Sequence, residues 1–338
     1  MKERIFFYDV LRVIACLMVV IVHSPHSTKP ELYSFYFGFT TYTMMTGVCM
    51  FFLLSGALIL PTNLTTGEFF KRRLNKVVWP VVFWTFIFII YSYFINGIDL
   101  KDSVKNLIGM PFRNSGAPEL WFMYELIGIY LIVPVVSPYF QKASKREYEI
   151  YLFIWCISLC LPFLDLVWPI NPHAGVFTYT AGYAGYFLLG AYLRRFWNKP
   201  ISLKKTILLS ILLFMIWASS LFFAVIFNLS NKGSIMGCKA LPLASLTLMI
   251  YLVVKYYLKP ISITSNCYKI VTNISTLSFG IYLSHAYFAQ RLLRNWNWLM
   301  NQHAVIEITL VSLISFLSSW FFSWIISKSK YSKYIIGC

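Results

Sequence analysis

Ten stretches of the chain are apolar enough to read as crossing helices, near residues 5–24, 35–60, 77–95, 120–140, 149–170, 177–193, 206–228, 240–258, 272–290 and 304–327. A bilayer core takes about 20 predominantly apolar residues per helix. The pattern therefore predicts an all-α transmembrane bundle of about ten spans in one domain, 1–338. Connections are short, the longest running over 96–119, and no repeat divides the chain in halves. The first stretch breaks the apolar pattern with Asp9, Arg12 and His23. Ionisable groups at membrane depth are costly and mark a site by default. On a helix, Arg12 and His23 fall on nearly one face about 16 Å apart, with Asp9 joining that face one turn before Arg12. This stripe predicts an Asp9–Arg12 pair near one end of the span and an imidazole near the other.

Charge sets the orientation. With the N-terminus inside, inner connections and tails collect twenty Lys and Arg residues, among them Lys2, Lys71 to Arg73, Lys204, Lys205, Lys259 and Lys333. The outer side keeps eight, including Lys29, Lys101, Lys105, Arg113, Lys232 and Arg291. The positive-inside rule then predicts both termini in the cytoplasm. Composition agrees: 59% of residues are hydrophobic and 12% charged, so the formal +17 reads as membrane orientation and not as nucleic-acid affinity. Tryptophans near segment ends, including Trp79, Trp84, Trp155 and Trp168, are expected at the interfaces. Seven cysteines show neither metal-ligand spacing nor a secreted disulfide framework.

Two candidate sites follow at opposite depths. At the inner face, Lys71, Arg72, Arg73 and Lys76 form a compact basic cluster suited to phosphate. The same cluster also reads as a topology determinant that meets anionic lipid. Arg12 would extend its basic path into the bundle, with Asp9 holding the guanidinium. In the outer half, His23, Glu119, Trp121, Glu125, Ser284 and His285 lie at matching depth. A neutral imidazole is the usual base for a hydroxyl, and a nearby carboxylate orients it. Either histidine alone also reads as an interfacial hydrogen-bonding group. No phosphate-cradling glycine loop, nucleophile elbow or metal motif is present, so no metal and no bound cofactor are expected.

These residues resemble a known family. Tyr8-Asp9-Val10-Leu11-Arg12 followed by His23 is similar to the signature of the membrane-bound acyltransferase-3 family. The likeness continues through Phe51 to Gly56, Lys71-Arg72-Arg73 with Pro80, Leu120-Trp121-Phe122, Gly190, and Ser278 to His285. It spans most of the chain and looks nearest to short bacterial O-acetyltransferases of O-antigen and enterobacterial common antigen. The resemblance implies transfer of an acyl group, usually acetyl from acetyl-CoA, to a hydroxyl of an envelope glycan at the bacterial inner membrane. It implies roles for Arg12, His23, Ser55, Gly56 and the Arg72-Arg73 pair.

Joined to the residue reading, the expected assignment is His23, Arg12 and Asp9 as catalytic. Arg12, Arg72, Arg73 and Lys76 would hold acetyl-CoA, and Ser55, Trp121, Glu125, Tyr282 and His285 would meet the substrates. Ser55, Tyr282 or a backbone amide would serve the developing oxyanion. Expected partners are acetyl-CoA, a glycan that is free or lipid-linked, and membrane lipid. A glycan or lipid-linked-sugar transporter is the alternative, since polar groups inside a bundle also bind cargo.

Overall fold

The computed structural model describes residues 4–24, 40–110, 117–168, 176–177, 180, 182–198, 201–226, 235–258 and 265–338. Within them ten principal helices run in order: α1 Phe6–Val22, α2 Thr46–Ile59, α3 Thr66–Asn96, α4 Trp121–Lys142, α5 Lys145–Ser158, α6 Tyr183–Phe196, α7 Leu203–Ile226, α8 Leu241–Tyr257, α9 Asn266–Ala286 and α10 Ala304–Ile326. No strand occurs among the described residues. Of the charges used to orient the chain, Lys2, Lys29, Arg113, Lys199, Lys232 and Lys259 lie outside the described residues.

Contacts between helix ends reveal an alternating path. At one end, Arg4 reaches the carbonyl of Thr272, Gln141 that of Thr62, and Arg195 that of Phe140. At the other, His23 meets His285, Tyr186 bonds the carbonyl of Cys238, and the amide of Leu241 bonds the carbonyl of Leu159. Both described termini therefore lie at the same end of the bundle.

Six helical segments have the length and apolarity to cross a membrane: Thr40–Ile59, Thr66–Ile95, Pro118–Lys142, Lys145–Leu164, Leu203–Ala224 and Ala304–Ile326. The other principal helices, α1, α6, α8 and α9, are shorter or more polar. Their positions explain this. Helix α1 packs on α2, α8, α9 and α10, and α6 lies between α2 and α5, so neighbours shield their polar groups from lipid.

Sequence signals set several boundaries. Thr65 and Glu68 close a capping box at α3, and Ser144 and Glu147 do the same at α5. The centre is organised by a close crossing of α2 and α6. A Cβ added at Gly56 would stand 1.8 Å from the carbonyl oxygen of Phe187, and one at Gly190 1.8 Å from that of Leu53. Only glycine permits such backbone contact. The expected interfacial role of two tryptophans is corrected: Trp84 and Trp155 are buried, donating their indole N–H to the carbonyls of Ile335 and Gly182. An indole placed near a segment end still turns inward when the bundle offers an apolar wall and an acceptor.

Candidate active site

Helix α1 carries the residues around which the site is built. Its first turns open onto a cavity of about 620 Å³ lined by Arg4, Tyr8, Asp9, Arg12, Ser55, Arg73, Lys76, Tyr130, Arg194, Ser275 and Tyr282, among others. Six of the helices or their flanks contribute, together with Gly337 and Cys338 of the terminal segment, and the cations gather at the end where both termini lie. Phe51, Phe122, Met123 and Leu126 make the wall apolar farther in. A polar mouth with an apolar interior suits a ligand that is charged at one end and carries an uncharged arm.

The predicted Asp9–Arg12 pair is corrected. Asp9 is bound by Arg4, whose Nε and Nη2 approach the two carboxylate oxygens at 2.7 and 3.1 Å. Ser275 Oγ donates to the same carboxylate at 2.6 Å. Arg4 precedes the helix and folds back across its first turn, so its planar fork matches the carboxylate, geometry that spacing on a helix does not disclose. The hydrogen bond to the Asp9 carboxylate, aided by its charge, in turn raises the Arg4 pKa above its ordinary value. Arg12 instead reaches Ser275 Oγ at 3.4 Å and keeps the rest of its guanidinium on the cavity wall.

The basic cluster divides by helical register. Arg73 and Lys76 line the main cavity, whereas Lys71 and Arg72 line only a neighbouring groove of about 470 Å³ that Arg73 and Lys76 share. Two cations on the wall were missed by sequence reasoning, Arg4 and Arg194, because each looked like a topology charge. Arg194 donates to the carbonyl of Ala57 at 2.7 Å, and it enters the cavity because the α2–α6 crossing brings the end of α6 against the end of α2.

At the inner limit of the cavity stands Tyr282, with the histidines directly behind it. The Tyr282 and His285 rings are 5.5 Å apart, and the His285 and His23 rings meet edge to face at 4.9 Å. His23 Nδ1 lies 2.9 Å from the carbonyl of Val19, and His285 Nδ1 bonds the carbonyl of Tyr282. A carbonyl only accepts, so in neutral rings both Nδ1 atoms carry the proton and both Nε2 atoms carry the lone pair. His285 is fully buried and its Nε2 has no hydrogen-bond partner among the described residues, while His23 is half-buried. Gln290 donates to the backbone carbonyl of His23.

The expected oxyanion donor Tyr282 is otherwise occupied, since its hydroxyl donates to the carbonyl of Glu119 at 2.9 Å. Ser55 remains on the wall. The carboxylate in the histidine cluster is Glu119, paired with Arg291 at 3.0 Å, with its second oxygen buried and without a hydrogen bond among the described residues. Glu125 is exposed and belongs elsewhere: it stands on the second turn of α4, whereas Glu119 lies in the short 3-10 turn Pro118–Leu120 that precedes the helix. Trp121 packs at 5.6 Å on Tyr183, over whose ring Lys239 also lies. Neither Trp121 nor Glu125 is among the residues that line the cavity. No group of three or more His, Cys, Asp and Glu suited to a metal gathers among the described residues.

A family model described as an acyltransferase domain, of the acyltransferase-3 type, matches residues 5–324. No curated protein and no solved structure gives a match.

Proposed function

Because this chain belongs to the acyltransferase-3 family and is a multi-pass membrane protein, we propose that it transfers acetyl from acetyl-CoA to a hydroxyl of an envelope glycan at the bacterial inner membrane. The observation that carries this reading is a cavity with cations at its mouth and an apolar interior, ending at Tyr282 against two imidazoles whose Nδ1 atoms sit on backbone carbonyls and whose Nε2 atoms show no hydrogen bond among the described residues. We take the Arg4 end as cytoplasmic, where acetyl-CoA is made. Its phosphates would sit among Arg73, Lys76 and Arg12, and its arm would run along Ser55 and Phe122 toward Tyr282.

His23 is the base in this scheme, because it is the less enclosed of the two histidines. Its Nε2 takes the proton of the acceptor hydroxyl as the oxygen attacks the thioester carbonyl. Collapse of the tetrahedral intermediate breaks the C–S bond, and the proton passes from the imidazolium to the leaving thiolate. His285 and Glu119 orient and balance His23. Tyr282 and Phe122, whose rings are 5.5 Å apart, stand between the arm and the base, so the thioester reaches His23 only when these rings turn aside.

The direct test is purified protein in proteoliposomes with acetyl-CoA labelled in the acetyl group and a membrane-derived polysaccharide fraction. Label that appears in the glycan and is released by mild alkali is the expected result for an O-ester. Binding of glycan without transfer from any acyl-CoA would sink the proposal and favour a transporter.

A further inference from the structure

The groove beside the main cavity has a wall that the scheme above does not use. It is lined by Lys71, Arg72 and Trp79 of α3 and by Lys333 and Tyr334 of the terminal segment, while Arg73 and Lys76 face both chambers. The segment is fixed in place. Trp84 donates to the carbonyl of Ile335 at 3.0 Å, and Ile336 is buried against Gly280, where a Cβ would come within 2.9 Å of it. Gly337 adopts φ +71 with the carbonyl oxygen of Lys76 only 2.6 Å from where its Cβ would be, a position that demands glycine. Lys333 and Tyr334 are thereby held opposite the cationic turn of α3.

Five cations border this groove and no acid does. The nearest carboxylate on α3, Glu68, is engaged by Thr65 in the capping box. None of the five cations has an ion pair among the described residues. Two aromatic rings lie among them, Trp79 at 50% and Tyr334 at 41% exposure, 6.2 Å apart and nearly perpendicular. Cations without acidic partners beside half-exposed aromatic rings, with Lys333 Nζ 4.6 Å from the centre of the Tyr334 ring, suit a ligand with phosphates and a flat base.

Resting on the reading that acetyl-CoA is the donor, we propose that this groove holds the phosphorylated nucleotide end of the donor. The terminal segment supplies part of the contact, Lys333 to phosphate and Tyr334 with Trp79 to the base. Arg73 and Lys76, common to both chambers, would hold the pyrophosphate at the point where the arm enters the main cavity, and the groove the 3′-phosphate and base. The site then selects for the 3′-phosphate, which distinguishes coenzyme A from its dephospho form.

The test uses full-length protein in nanodiscs of zwitterionic lipid and measures equilibrium binding of CoA and dephospho-CoA. Wild type is expected to prefer CoA by about tenfold, the scale of one charge-assisted contact. Lys333→Ala should reduce that preference to about threefold or less, and Tyr334→Ala and Trp79→Ala should weaken both ligands alike. Each variant is checked for monodisperse elution. Folded Lys333→Ala and Tyr334→Ala proteins with wild-type affinity and preference would overturn the assignment while leaving the donor reading intact. Loss of CoA binding when phosphatidylglycerol is added would show a lipid phosphate site, which also overturns it. Wild type that binds no CoA at all would remove the donor reading itself, and the groove's role with it.

Discussion

His23 at the end of α1 and His285 at the end of α9 meet edge to face with 4.9 Å between ring centroids, each with Nδ1 on a backbone carbonyl. The carbonyl bonds fix the tautomer of both neutral rings, and the ring contact holds the two Nε2 lone pairs in one cluster. General-base removal typically costs about 10²–10⁴ in rate. His23→Ala and His23→Gln are both expected to lose turnover on that scale while acetyl-CoA binding persists, because the cations lie at the other end of the cavity. His285→Gln should leave a measurable residual rate. Turnover against pH for the three variants checks this, and a near wild-type rate and profile in His23→Gln would pass the role to His285.

Arg73 faces both chambers and Arg72 only the groove. Arg73→Gln should therefore raise the acetyl-CoA concentration for half-maximal transfer more than Arg72→Gln does. A lost charge-assisted contact costs about 1.5–3 kcal/mol, or roughly tenfold to a hundredfold. Equal and negligible effects in both, with abundance and orientation unchanged, would return the cluster to a topology role.

Asp9 binds Arg4 and Ser275, so its removal acts first on structure. Asp9→Asn is expected to lower the melting temperature in detergent, by the equivalent of about 1–3 kcal/mol. Arg4→Gln should reproduce most of the loss, and the double variant should cost less than the two single effects added. Loss of turnover in Asp9→Asn at unchanged stability would instead restore Asp9 as a catalytic residue.

The crossing of α2 and α6 tolerates no side chain at Gly56 or Gly190. Alanine at either position should reduce folded yield and thermal stability by at least the roughly 1–3 kcal/mol of an overpacked core. Gly128→Ala, in α4 with nothing near its Cβ, serves as the control and should be close to neutral. Normal folding of Gly190→Ala would show that the helices can separate without loss.

Under the charge-derived orientation, reporters fused after Lys204 and at Cys338 should both read as cytoplasmic, and one near Lys105 as external. An external reading at Cys338 would overturn this orientation, and opposite readings for the N-terminus and Cys338 would contradict the shared end that Arg4 and Cys338 occupy in the fold.

Much of this architecture is written in local pattern. Apolar runs and the caps at Thr65 and Ser144 determine the helices and their order, because each depends on residues within a few turns, while the sorting of Lys and Arg carries the orientation proposed for them. Arg12 and His23 were also legible, since charge inside an apolar helix stands out by its cost. What only the tertiary structure decided is who meets whom. Arg4 rather than Arg12 holds Asp9, Glu119 rather than Glu125 joins the histidines, and Arg194 and the terminal Lys333 face the two chambers. In a bundle where nearly every face is apolar, hydrophobicity cannot choose neighbours; steric fit at small residues such as Gly56, Gly190 and Gly280 does, and that fit brings the distant polar groups together.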